Sequence, residues 1–363
     1  MPLPSSFLRI ALSDTLRAMH ATRRAVIDVG TNSIKLLVAD VAGREVQPVL
    51  EQSRQTRLGK DFYQTHRLQS ARIEESAKAV AEFAEMAHQQ GCARIRVIAT
   101  SAAREAVNGG DLTAAIKKVS GLDAEIISGE QEAEWAFQGA TTDPGLATQT
   151  LMLLDVGGGS TQLIIGHGPE ILFRRSLRLG SVRLIETMPP SDPPTTRELT
   201  GYRKWLSEFL QREVEDRGPR VGGSNIQHPV SSIQHPSTRI THLPRRLAAA
   251  KQCEGGSPAE ADHASLLVGT GGTASILGCM EGGLDKFDRA RLEATRLSLG
   301  RVRWHVERLW SVPLEERKQI VGLPPNRADV ILAGSAIYEA AMEQFGFEEL
   351  RISTRGLRFA AIL

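Results

Sequence analysis

One short pattern occurs twice in this chain, and the duplication limits what the chain can fold into. Val26-Ile27-Asp28-Val29-Gly30-Thr31-Asn32-Ser33-Ile34-Lys35-Leu36 is answered by Leu153-Leu154-Asp155-Val156-Gly157-Gly158-Gly159-Ser160-Thr161-Gln162-Leu163. A shift of 127 positions superimposes Asp, Val, Gly, Ser and Leu together. Each copy is an apolar run ending in aspartate, a loop of small residues, then an alternating apolar run, which is the pattern of two strands joined by an anion-binding turn. Two such hairpins facing each other would clamp a phosphate chain.

The elements after each hairpin also correspond. The first half continues with a third strand near Glu45 to Gln52. A helix follows over Ser70 to Gln90, with Ile73, Ala77, Val80, Ala84 and Ala87 on one face. A strand Ile95 to Ala99 then opens into Thr100-Ser101-Ala102-Ala103-Arg104, and a strand Ala124 to Ile127 leads into Ser128-Gly129 and another helix. The second half answers with Leu266-Leu267-Val268 before Gly269-Thr270-Gly271-Gly272-Thr273, and with Leu350-Arg351-Ile352 before a last short helix. A period this long means two duplicated α/β domains and not a solenoid. The expected boundaries are a leader over 1–22, a first domain over 23–143 and a second over 148–363, each domain with a five-stranded mixed sheet.

At 363 residues, 41% hydrophobic and 24% charged, the chain can fill two cores. Its net charge of +2 makes no demand for nucleic acid. No segment is long or apolar enough to span a membrane. The first twenty residues lack the apolar core of a secretory signal, and Met19 is an alternative start. Cys92, Cys253 and Cys279 make no metal or redox spacing and point to a reducing cytoplasm. Arg174, Arg175, Arg178 and Arg183 are a basic run after the second loop, read equally as polyanion contacts or as a solvated face. Residues 217–262 hold a decaying seven-residue repeat with His228, His235 and His242, read as a disordered insertion without catalytic work, with a metal site on the three histidines as the lesser alternative.

The chemistry is in the loops. Gly157-Gly158-Gly159-Ser160-Thr161 has no bulky side chains to keep backbone N–H groups from converging on phosphoryl oxygens. Gly30, Thr31, Asn32, Ser33 and Lys35 in the first copy, and Gly271, Gly272 and Thr273 downstream, are the companion phosphate contacts. Asp155 ends a buried strand, where a carboxylate is placed to bind Mg2+.

On these residues the chain resembles the exopolyphosphatase and guanosine pentaphosphate phosphohydrolase family, a branch of the sugar kinase, heat-shock chaperone and actin superfamily. The matching stretches include Ile27 to Ser33, Ala99 to Asn108, Ile126 to Ala133, the Asp155 loop, Leu179 to Leu184, Val268 to Thr273 and Arg327 to Gly334. They run in family order from Arg24 to Leu363. The resemblance implies two ribonuclease H-like (actin-like ATPase) domains with the active site in the cleft between them. It implies Mg2+-assisted hydrolysis of a terminal phosphoanhydride by water, with polyphosphate or guanosine penta/tetraphosphate as partner. It assigns Glu132 as base and Arg104 to neutralising the transferred phosphate. Family members often dimerise, so a homodimer is among its implications.

Two departures bear on mechanism. Gln131 stands where the family has the first of two glutamates, and Gln162 stands where it has a glutamate expected to help bind metal. A neutral amide is a poorer magnesium partner than a carboxylate. The competing reading is therefore a polyphosphate or alarmone sensor of the same fold with little or no turnover, and a kinase of the superfamily is a third. Longer family members add helical domains, so the chain reads as the short, two-domain form, acting with little processivity.

Overall fold

The structure, a computed structural model, describes residues 21–215 and 264–363. The insertion read over 217–262 lies outside them, as does all but the end of the leader; Thr22 already opens the first strand. The first sheet contains β1 (Thr22–Val29), β2 (Ser33–Ala42), β3 (Glu45–Gln55), β4 (Arg94–Ala99) and β5 (Ala124–Ile126), in the order β3-β2-β1-β4-β5. β1, β2 and β3 form an antiparallel meander, while β4 and β5 add in parallel.

The second sheet contains β6 (Thr150–Val156), β7 (Thr161–His167), β8 (Glu170–Leu177), β9 (Leu266–Thr270), β10 (Arg296–Ser298) and β11 (Glu349–Ile352), in the order β10-β11-β9-β6-β7-β8. It has six strands where the sequence reading expects five. The extra edge strand β10 is three residues long and buries only Leu297, too little for alternation to register in a sequence. The second half also carries helices with no counterpart in the first, Leu299–Trp310 among them.

Both central strands are buried on two faces, so they are continuous apolar runs. Alternate residues of β6 serve different cores. Met152 and Leu154 join the cluster under the long helix Ile331–Phe345, while Leu151 and Leu153 pack with Ala133, Ala136 and Phe137 of the helix Gly129–Ala140. That helix precedes the second domain in sequence yet covers the second sheet. Reciprocally, Leu357 and Phe359 of the C-terminal helix Leu357–Ala361 pack on Val26, Leu37 and Ile98 of the first sheet. The exchange ties the two halves together and brings the start of the helix Gly129–Ala140 close to both hairpin loops.

Candidate active site

The two hairpin turns close in the same way. Gly30 N–H donates to Ser33 O at 3.1 Å, and Gly157 N–H donates to Ser160 O at 2.9 Å. In each hairpin the aspartate has the equivalent cross-strand partner: Asp28 pairs with Lys35, and Asp155 with Gln162. The duplication in sequence is thus a duplication of geometry.

Between the sheets lies a cavity of about 520 Å³. Gly30, Thr31, Asn32, Ser33 and Lys35 line it from the first sheet; Gly157, Gly158, Gly159 and Ser160 line it from the second. Gly271, Gly272 and Thr273, at the N-terminus of the helix Gly271–Gly282, complete the ring of small residues. Backbone N–H groups at a helix start favour anions, which suits this third loop to a phosphate. The glycines are required where the chains approach most closely. A Cβ on Gly159 would fall on the hydroxyls of Tyr63, Ser101 and Thr31, and one on Gly271, whose φ is +86°, would fall on Asp155 Oδ1.

Thr161 is not part of this wall. It is fully buried, and its hydroxyl donates to Leu179 O at 2.6 Å, so it braces the loop and does not face the cavity. Gln162 is likewise set back from the wall: it is 1% exposed and donates from Nε2 to Ser160 Oγ at 2.9 Å. Its Oε1 is buried without a hydrogen-bond partner.

Three acids meet the cavity near the loops. Glu132 sits one turn into the helix Gly129–Ala140, whose N-cap Ser128 accepts from Gln131 N–H. Burial pushes its carboxyl up to about 7, with Arg104 opposing the shift and Asp155 and Asp28 adding to it. Asp155 is pushed up to about 6, chiefly by burial, with Lys35 opposing. Asp28 is also raised by burial, and its Oδ1 has no hydrogen-bond partner. Glu130 is exposed, Glu134 accepts from Arg174 at 3.3 Å, and neither lines the cavity.

Arg104 stands behind Glu132 and does not line the cavity. Its Nη1 donates to Glu132 Oε2 at 3.0 Å and to Ile127 O at 2.9 Å. The sequence reading expects Arg104 at the transferred phosphate; in the structure its guanidinium is paired with Glu132. Three arginines of the basic run after the second loop are paired with carboxylates, while Arg178 is exposed. Arg174 pairs with Glu134 and Arg175 with Glu213, and Arg183 pairs with Glu105 at 2.6 Å while donating to Gly159 O.

The sequence reading gave no role to Asp28, Arg327 or Arg358, which also line the cavity. Asp28 was visible in the duplication. Arg327 opens one of the stretches that carry the family resemblance yet receives no role there, and Arg358 enters from the far end of the chain with no local spacing to mark it. Arg327 donates to Ser33 Oγ across the cleft, and its burial lowers its pKa to about 10. Lys35 is lowered by burial, then by Arg358, against the pull of Asp28.

The donor set fits Mg2+. Asp155 and Asp28 are hard oxygen ligands at the cavity wall, one of them with an orphaned oxygen, and magnesium is commonly held by one or two carboxylates plus phosphate oxygens and water. Among the described residues no group of three His, Cys, Asp or Glu is placed to hold a metal ion, so protein ligands alone do not make a closed cage.

A family model, curated relatives and solved structures all place this chain beside the same group of proteins. The Ppx/GppA phosphatase family model matches residues 37–228 and 240–362. Exopolyphosphatase 2 of Mycobacterium tuberculosis is 30% identical over 348 residues, covering 92% of this chain and 96% of the relative. Exopolyphosphatase 1 of Mycobacterium leprae is 26% identical over 342 residues, covering 94% of this chain and 88% of the relative. Among solved structures, the Aquifex aeolicus member of the Ppx/GppA family superimposes with a TM-score of 0.69 at 27% identity, covering 94% of this chain and 96% of that one.

Proposed function

The chain belongs to the Ppx/GppA phosphatase family, and from that premise we propose that it is an exopolyphosphatase, releasing terminal orthophosphate from inorganic polyphosphate. The observation that carries this reading is Glu132: a carboxyl with a pKa near 7 at the wall of a cavity ringed by three glycine-rich loops. A base poised near neutrality is what water activation requires.

The two hairpin loops and the Gly271 loop hold the last phosphates by backbone N–H groups, and Lys35 supplies a buried cation beside them. Glu132 accepts a proton from water as the water oxygen attacks the terminal phosphorus in line with the bridging oxygen. That P–O bond breaks, and the shortened chain leaves with the electron pair. Arg104 favours the ionised form of Glu132 against the effect of burial and orients its carboxylate. A magnesium ion held by Asp155 and Asp28 would offset the charge of the phosphate oxygens. The free thiols of Cys92 and Cys279 suit a reducing cytoplasm.

Hydrolysis of the 5′-γ-phosphate of pppGpp is the second reading, favoured by an apolar stretch of the same cavity. Ile276, Phe287 and Pro324 lie along it, and Phe287 is 53% exposed, a surface on which a purine could stack. Phosphate release from polyphosphate and from pppGpp by wild type and Glu132→Gln tests both readings. The variant is expected to lose about a hundredfold to ten-thousandfold in turnover while retaining binding. Retention of more than about a tenth of wild-type activity would remove Glu132 from the base position.

A further inference from the structure

The cavity is built for a polyanion, yet the ionisable side chains along its wall do not favour one. Asp28, Glu51, Glu132 and Asp155 stand against Lys35, Arg327 and Arg358. Three of the four acids have work in the mechanism above. Glu51 has none, and it lies on β3, away from both hairpin loops.

Glu51 is held across the cleft by two arginines from the other half of the chain. Its Oε1 accepts from Arg289 Nη2, and its Oε2 accepts from Arg358 Nη2 at 3.2 Å. All three side chains are about four-fifths buried, with 22% exposure for Glu51, 21% for Arg289 and 17% for Arg358. Arg358 is further fixed by donating to Leu36 O at 3.0 Å, and its charge acts on Lys35, Asp28 and Asp155. Arg289 donates to Thr354 Oγ1 and packs its guanidinium on the Phe359 ring at 5.0 Å. Arg358 is thus preorganised on the cavity wall with Arg289 beside it, and Glu51 pairs with both, while Arg289 has a second carboxylate partner in Glu293 at 3.3 Å.

We propose that Glu51 is a specificity-determining residue that competes with the substrate's phosphates for Arg289 and Arg358. This rests on the polyphosphate reading of the cleft. A polyanion reaching this part of the cavity replaces Glu51 as acceptor for the two arginines, and the exchange of one bidentate-capable anion for another costs affinity relative to a cleft with free arginines. The carboxylate thereby sets how tightly the body of the chain is held behind the terminal phosphate. It also links the halves: engaging the arginines with substrate releases β3 from the helices Arg289–Ala294 and Leu357–Ala361.

The test is a double-mutant cycle of Glu51→Gln and Arg289→Gln, with inorganic tripolyphosphate and long-chain polyphosphate as probes. Dissociation constants come from calorimetry, and KM and kcat from phosphate release. Glu51→Gln is expected to tighten binding and lower KM for long chains by roughly three- to tenfold, the scale of a partly buried ion pair. Arg289→Gln should weaken binding little in the wild-type background and more in Glu51→Gln, because only there is the guanidinium released from Glu51, with Glu293 left as its carboxylate partner. Unchanged or weaker binding by Glu51→Gln overturns the proposal, as does a gain that persists in full when Arg289 is also replaced. If wild type binds tripolyphosphate and Glu51→Gln tightens it, but no variant releases phosphate, the hydrolase reading fails and the competition stands. If wild type hydrolyses polyphosphate and Glu51→Gln binds no tighter, the competition alone fails. Absence of binding by every variant overturns both.

Discussion

Removing the charge of Arg104 should change the pH at which the enzyme works more than the rate it can reach. Glu132 titrates near 7 because burial raises its carboxyl while Arg104, 3.0 Å away, pulls it down. An opposite charge at such a distance lowers a carboxyl by about one to three pKa units. Both side chains retain some exposure, 22% for Arg104 and 13% for Glu132, so screening argues for the lower part of that range, about one to two units. Arg104→Gln then moves the ionisation to roughly 8 to 9, each unit being worth about 1.4 kcal/mol. The sign follows from the role of the group. A base works ionised, so kcat/KM rises tenfold per pH unit below the pKa and levels above it, and a higher pKa moves the acid limb to higher pH. At pH 7 the variant should lose about five- to fiftyfold, and most of the loss should be recovered near pH 9 to 10. Arg104→Lys, which keeps the charge, should lie between. The measurement is the pH profile of phosphate release from polyphosphate for all three proteins. A loss of the same size at every pH would refute the reasoning and return Arg104 to direct contact with the phosphate.

Other substitutions test neighbouring parts of the site. Asp155→Asn should nearly abolish turnover, and Gln162→Glu should lower the magnesium concentration needed for half-maximal rate; magnesium titrations of both against wild type check this, and an unchanged titration in Gln162→Glu with a tolerated Asp155→Asn would place the ion elsewhere. Gly159→Ala should reduce activity by tenfold or more, by rough analogy with other overpacked sites, because its methyl group falls on the Tyr63, Ser101 and Thr31 hydroxyls. Tyr63→Phe in the same chain should restore part of that loss, and a Gly159→Ala enzyme with wild-type kinetics would show that the loop relaxes freely.

Much of the fold was legible because the duplication is local and periodic. Asp28 and Asp155 each end a strand buried on both faces, and the apolar runs before them are long enough to register. What stayed hidden depends on tertiary crossing. Nothing local says that Phe137 packs on β6 while Phe359 packs beneath β1, since an amphipathic helix shows which face is buried but not which sheet buries it. β10 escaped for a different reason: a three-residue edge strand is held by its partner β11 and carries no pattern of its own. In the site, loop residues were readable from small-residue spacing. Thr161 shared that composition but points into the core, because side chains alternate along the strand it begins.

Among the differences between the two hairpins, the one opposite the aspartates bears most on the charge balance of the cleft. Lys35 and Gln162 occupy equivalent cross-strand places, yet the first puts a buried cation opposite Asp28 and the second puts an amide opposite Asp155. Lys35 acts on both aspartates, opposing the burial that raises each carboxyl. Lys35 and Arg358 thus offset two buried carboxylates, while Gln162 contributes dipoles only and leaves Oε1 without a partner. Replacing that amide by a carboxylate adds a third negative group with no added cation. Without a divalent ion the change should raise the acids' pKa values further and weaken phosphate binding; with one it should tighten the ion. The opposite responses to Gln162→Glu in the presence and absence of magnesium separate a metal-assisted site from one in which Lys35 and Arg358 alone balance the charge.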